Sequence, residues 1–168
     1  LILPKHYKDE KQTLEKYRRW ILRKELIIKR ALEEARIRKT HQTISDKDLR
    51  NLVNQAAQNF QSELNTKINK IYFKKMKTKW ASHSKNGNLT VNTLLKYLPQ
   101  NIIEYVIYHE IAHSIERKHN EIFWRLISKK HRDYENKEKD LLTYWFMIQN
   151  IVNESLASRG DKKCRKEL

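Results

Sequence analysis

The spacing of apolar residues divides the chain in two. Up to about residue 65 the period is helical: Leu14, Tyr17, Ile21, Ile28, Leu32 and Ala35 fall on one stripe, interrupted by Lys24 and Glu25. Asp9-Glu10-Lys11-Gln12 resembles a capping box in front of it. A second stripe, Leu49, Leu52, Val53, Ala56, Phe60 and Leu64, predicts a helix starting after Ser45. Both helices read as scaffold, with the aromatics Trp20 and Phe60 expected in the core.

From Asn65 the period shortens to two. In KINKIYFKKM, Ile71 and Phe73 face one way and Tyr72 and Lys74 the other, which predicts a strand. KTKWASHS and KNGNLTVN read as two further strands joined by a hairpin turn at Asn86-Gly87. After Pro99 the helical period returns and carries YVIYHEIAHSIERKHNEIFW, residues 105–124. Asn120 suits the N-cap of a short helix bearing Phe123, Trp124 and Ile127. A last helix, over about 137–157, carries Leu141, Leu142, Trp145, Ile148 and Val152.

Composition narrows the class. Two glycines and two prolines in 168 residues favour long helices over a turn-rich β fold. The one cysteine, Cys164, excludes a disulfide framework and a thiolate metal cluster. No apolar run reaches the length of a membrane span and no secretory signal pattern opens the sequence, so a soluble cytoplasmic protein is expected.

Charge adds a location. The chain has 36 Lys+Arg against 20 Asp+Glu, a net charge of +16. A field of that sign attracts polyanions, although a merely solvated basic surface accounts for the total equally well. Between Leu64 and Ile103 there is no acid, while eight lysines occur, at 67, 70, 74, 75, 77, 79, 85 and 96. The excess is concentrated on the hairpin, just ahead of the histidine-bearing helix.

His109-Glu110-Ile111-Ala112-His113 fits H-E-x-x-H. Histidines at i and i+4 lie on one helical face and can grip one metal ion, with the glutamate beside them as base for a metal-bound water. A catalytic zinc usually has three protein ligands, and His119 is the candidate third. An unbroken helix would carry His119 away from the other two, so the helix is expected to end near Arg117. Metzincins place a glycine midway between the last two histidines; here that residue is Glu116, and no Met-turn is evident. His6, His41 and His83 lack partners at ligand spacing, and His131 reads as a surface residue.

The run KMKTKWASHSKNGNLTVNTLLKYLPQNIIEYVIYHEIAHSIERKHNEIFW resembles the YgjP-like metallopeptidase domain, a relative of the SprT and WLM families. The matching residues are Trp80-Ala81-Ser82, with alanine for the usual glycine, Tyr105-Val106, the His109–His113 motif, His119-Asn120 and Phe123-Trp124, followed by the aromatic Tyr134. The likeness covers roughly residues 67–146, and the first 65 residues do not resemble the strand-rich part expected there. It implies an α+β, zincin-like domain with a small antiparallel sheet, Zn2+ on His109, His113 and His119, and Glu110 as catalytic base. The expected organisation is a helical segment over 1–65, the zincin-like domain over 66–158 and a frayed basic tail over 159–168.

The expected activity is hydrolysis of a protein or peptide laid along the WASHS or LTVN strand by strand addition. Lys70, Lys74, Lys77, Trp80 and Ser82 are the expected substrate or nucleic-acid contacts, and Tyr134 and His131 the candidates for transition-state stabilisation. A zinc hydrolase of nucleotides or phosphoesters is the alternative, opposed by the lack of a second metal site and of a glycine-rich phosphate loop. A nucleic-acid-binding protein with a structural metal is a third, opposed by a ligand set of three rather than four.

Overall fold

A computed structural model describes the backbone of residues 10–38 and 43–164 and the side chains of 11–38 and 43–151. The Asp9 capping box, His6 and His41 lie outside the described residues. The order is α1 (Glu10–Ile37), α2 (Asp46–Glu63), β1 (Lys70–Lys74), β2 (Ala81–His83), β3 (Asn88–Asn92), a 3-10 turn (Thr93–Tyr97), α3 (Gln100–Ala112), α4 (Glu121–Lys130) and α5 (Tyr134–Cys164). The backbone of α5 is thus helical through 159–164, where a frayed tail was expected. Among the described residues no helix is long and apolar enough to cross a membrane.

α3 is the centre of the core. Ile102, Ile103, Tyr105, Val106, Ile107, Tyr108, Ile111 and Ala112 are all buried, so the helix is covered on nearly every face. α2 begins where Ser45 Oγ accepts the Asp48 N–H at 3.1 Å and packs Leu49, Val53, Ala57 and Phe60 into that core. The Phe60 ring meets Tyr108 edge-on at 5.2 Å.

α1 is different. It packs on α5 through Arg38–Asp140 at 2.6 Å and Thr143–Glu34 at 3.2 Å, burying Ala31 and Ala35. Leu14, Tyr17, Ile28 and Leu32 of its apolar stripe stay exposed, and Trp20, expected in the core, is 53% exposed. A stripe shows which side of a helix is apolar, not whether another element covers it.

The sheet is mixed rather than antiparallel. β2 and β3 form the expected hairpin, with Gly87 at φ +70° in the turn, but β1 runs parallel to β3 on its other side. The linker 75–80 crosses between the two edges and is held by Asn92, which is fully buried. Its Nδ2 donates to the carbonyls of Met76 at 3.0 Å and Lys79 at 2.7 Å, and its Oδ1 accepts the Leu94 N–H at 3.1 Å. Removing that amide leaves buried polar groups unpaired, each costing about 1–3 kcal/mol. Asn92→Ala is therefore expected to lower unfolding stability by about 2–3 kcal/mol, read as a lower urea midpoint at unchanged m value.

Candidate metal centre

His109 and His113 stand one turn apart on α3, and His119 returns to them from the loop that follows. The helix ends sooner than the spacing suggested, at Ala112 with His113 as its cap, not near Arg117. The Ser114 and Ile115 N–H groups turn back onto the carbonyls of Ile111 and Ala112, both at 2.9 Å. Glu116 then fixes the exit: its carbonyl faces His113 Nδ1 at 3.0 Å and its carboxylate accepts the Lys118 N–H at 2.9 Å. A short hydrogen-bonded turn replaces the glycine turn. α4 starts where Asn120 Oδ1 accepts the Phe123 N–H at 3.1 Å, which brings His119 back over α3.

The three rings converge. One nitrogen from each lies within 4.8 Å of the others, and His109 Nε2 and His119 Nε2 are 2.9 Å apart. Tetrahedral zinc with bonds of about 2.05 Å needs neighbouring nitrogens about 3.3 Å apart, so the closest pair would part by about 0.4 Å and wider separations close by up to about 1.5 Å to fit that ion. Its donor chemistry, three imidazoles without a thiolate, also suits zinc. Aromatic rings support the arrangement: Phe123 stacks on His113 at 4.6 Å, Trp124 on His119 at 5.5 Å, and Tyr134 on Trp124 at 5.1 Å.

Nitrogens turned away from the cluster set its tautomers. The Glu116 carbonyl assigns the His113 proton to Nδ1 and leaves Nε2 as a donor to metal. His109 Nδ1 faces the carboxylate of Glu138 at 3.4 Å, and the same carboxylate oxygen accepts the Tyr105 hydroxyl at 2.6 Å. Burial alone would raise the Glu138 pKa, but the His109 and Tyr105 hydrogen bonds outweigh it and hold the group below its usual value. Burial and that same carboxylate raise the Tyr105 pKa, keeping its hydroxyl protonated as a donor. Desolvation, then the neighbouring His109 and His113, lower the His119 pKa and favour its neutral, ligating form. Glu138 went unnoticed in the sequence because no motif links it to a histidine so far upstream.

Glu110 sits beside the cluster and accepts the backbone N–H of His83 at 2.9 Å. β2 is an edge strand of the sheet, and this bond shows that its outer edge faces α3. The space between them is a cleft of about 620 Å³, with Trp80, Ser82, His83, His109, Glu110 and His113 in its walls. Lys70, Lys74 and Lys77 are not in those walls; β1 is on the opposite side of β3 from the cleft. Tyr134 and His131 do not line the cleft either. Tyr134 backs Trp124, and His131 is wedged edge-on against Tyr105 and Tyr108, both at 5.2 Å, with burial depressing its pKa.

Residues 4–144 match the family model described as YgjP-like, metallopeptidase domain, which is well over half of the 168 residues. The chain belongs to the YgjP-like metallopeptidase family. It is therefore a metal-dependent peptide hydrolase. The family match takes in α1 and α2, which the sequence reading had left outside the resemblance. Among solved structures the chain is similar to the metallopeptidase zymogen abylysin of Pyrococcus abyssi, at 22% identity over 54% of this chain and 92% of that one, with a TM-score of 0.49. It is also similar to the metallopeptidase zymogen jannalysin of Methanocaldococcus jannaschii, at 25% identity over 61% and 96%, with a TM-score of 0.46. No curated protein matches the chain.

Glu138 lies behind the cluster rather than in it, so its loss acts on affinity through the orientation of His109. Glu138→Ala is expected to weaken metal binding by about 10- to 100-fold while the protein stays folded, measured by competition with a chromophoric zinc chelator.

Proposed function

We propose that this YgjP-like peptidase is a zinc enzyme in which His109, His113 and His119 hold the ion and Glu110 is the general base. The observation that carries this reading is the convergence of three imidazoles beside a carboxylate, at an open strand edge. Zinc bound there supplies a Lewis acid that polarises the scissile carbonyl, stabilises its developing oxyanion and makes water more acidic.

The rest falls to the chain itself. Alternation along β2 turns the N–H and C=O groups of Ala81 and His83 towards the free edge, since those of Trp80 and Ser84 pair inward with β3. An extended peptide pairs with that edge through the Ala81 N–H and C=O and the His83 C=O, the His83 N–H being taken by Glu110, which sets its scissile bond between the strand and α3. Glu110, held through one oxygen by the His83 N–H, points the other at the attacking water. It takes the water's proton as the bond to carbon forms and delivers it to the departing amine.

Two substitutions test the assignment. Glu110→Gln keeps shape and ligands but removes the base, so it is expected to retain stoichiometric zinc while kcat falls by about 100-fold or more, followed with a quenched fluorescent peptide. Near wild-type turnover would assign the base elsewhere. His119→Ala leaves two ligands and is expected to lose bound zinc on dialysis, read by elemental analysis; full retention would remove His119 from the ligand set.

A further inference from the structure

The cleft is lined by four cations, Lys67, Lys79, Lys85 and Arg117, against two acids, Glu110 and Glu138. Both acids are already engaged, Glu110 by the His83 N–H and Glu138 by Tyr105 and His109. Among the described residues none of the four cations joins an ion pair, whereas Lys29, Lys96, Lys130 and Lys137 elsewhere each sit on a carboxylate. Like most of the described surface lysines and arginines they are free of carboxylates, but these four are the ones in the walls of the cleft.

Their backbone is fixed. The Lys79 carbonyl is gripped by buried Asn92 at 2.7 Å. Lys85 is carried on the hairpin turn, closed by Gly87 N–H to Ser84 O at 3.0 Å and tied across to Asn69, whose Nδ2 donates to Asn86 O at 2.6 Å. Lys67 is in the same corner, its carbonyl close enough to Gly87 that a Cβ there would meet it at 3.3 Å. Lys79 and Lys85 thus flank β2 (Ala81–His83) at its two ends. A strand of that length pairs with about three substrate residues, so each lysine meets a side chain about two or three positions from the scissile bond.

From this placement we infer that the cleft selects acidic peptide segments, with Asp or Glu on both flanks of the bond that is cut. The inference rests on the peptidase reading and supplies its substrate class. An exposed ion pair contributes little by itself, so the two flanks together give a preference of about tenfold, carried by KM and shrinking with salt.

The test uses the zinc-loaded full chain and three quenched fluorescent peptide pools, alike except for Glu, Gln or Lys at the second and third positions on each side of a randomised centre. The Glu pool is expected to be cut about tenfold faster than the Gln pool at low ionic strength, with the gap closing at high salt. Lys79→Glu with Lys85→Glu is expected to turn the preference towards the Lys pool. Charge reversal of Lys70 and Lys74, on β1 at the edge of the sheet away from the cleft, should leave it unmoved. Equal cleavage of the three pools, or a Glu preference that survives in the Lys79/Lys85 variant, overturns the inference and leaves the peptidase intact. If no pool is cut beyond the Glu110→Gln blank, the peptidase reading falls, and anisotropy of the uncut labelled peptides decides the inference: tighter Glu-pool binding supports it and equal binding overturns it. Displacement of the Glu pool by a single-stranded oligonucleotide that binds far more tightly would assign these cations to nucleic acid and overturn it as well.

Discussion

A helix buried on nearly all sides can carry polar groups only where its neighbours leave an opening, and α3 is built under that constraint. Eight of its thirteen residues are buried, and the opening is the strip bearing His109 and Glu110, with His113 capping the helix end. α2 closes one side through Phe60 and Tyr108, and α4 closes another through Phe123. What remains open faces the outer edge of β2. The polar strip is therefore fixed by apolar packing around it, and the reactive groups need little flexibility of their own to stay aligned.

The same hierarchy continues outward. A ligating imidazole needs its ring orientation and its tautomer decided by the nitrogen that does not bind metal. For His113 a backbone carbonyl decides, set by the turn that ends the helix; for His109 it is Glu138, itself fixed by Tyr105 one turn back along α3. α5 thus enters the site without supplying a member of the histidine cluster. Its pairing with α1 through Arg38–Asp140 supports the helix that delivers Glu138, which gives the N-terminal segment a structural path to the metal centre.

What could be read from the sequence follows from the range of the interactions. His109, Glu110 and His113 are legible because one helical turn fixes their relation, and Asn120 and Asn86-Gly87 because caps and hairpin turns are local chemistry. His119 was recoverable as soon as the helix was required to break, although the break came earlier than the spacing implied, since the hydrogen bonds of the 111–116 turn are not encoded by a glycine. The parallel pairing of β1 was not legible: alternation reports that Ile71 and Phe73 share a face, not which neighbour β1 joins or in which direction. Trp20 and Glu138 were missed for the same reason, because exposure and distant pairing belong to the assembled fold. The lysine-rich interval was seen correctly as a block, yet the strand order divides it, sending Lys79 and Lys85 to the cleft and Lys70 and Lys74 to the opposite strand.

That division bears on catalysis as well as on binding. Four cations around the histidines oppose entry of a divalent ion, and Glu110 and Glu138 offset only part of their charge. Beside them, desolvation first, then His113 and Arg117, lower the His83 pKa. After loading, the balance of these side chains and the ion is strongly positive, so a neutral peptide leaves the field uncompensated. An acidic peptide compensates it, and its carboxylates, held two or three positions away, leave the field at the scissile carbonyl free to stabilise the oxyanion formed there.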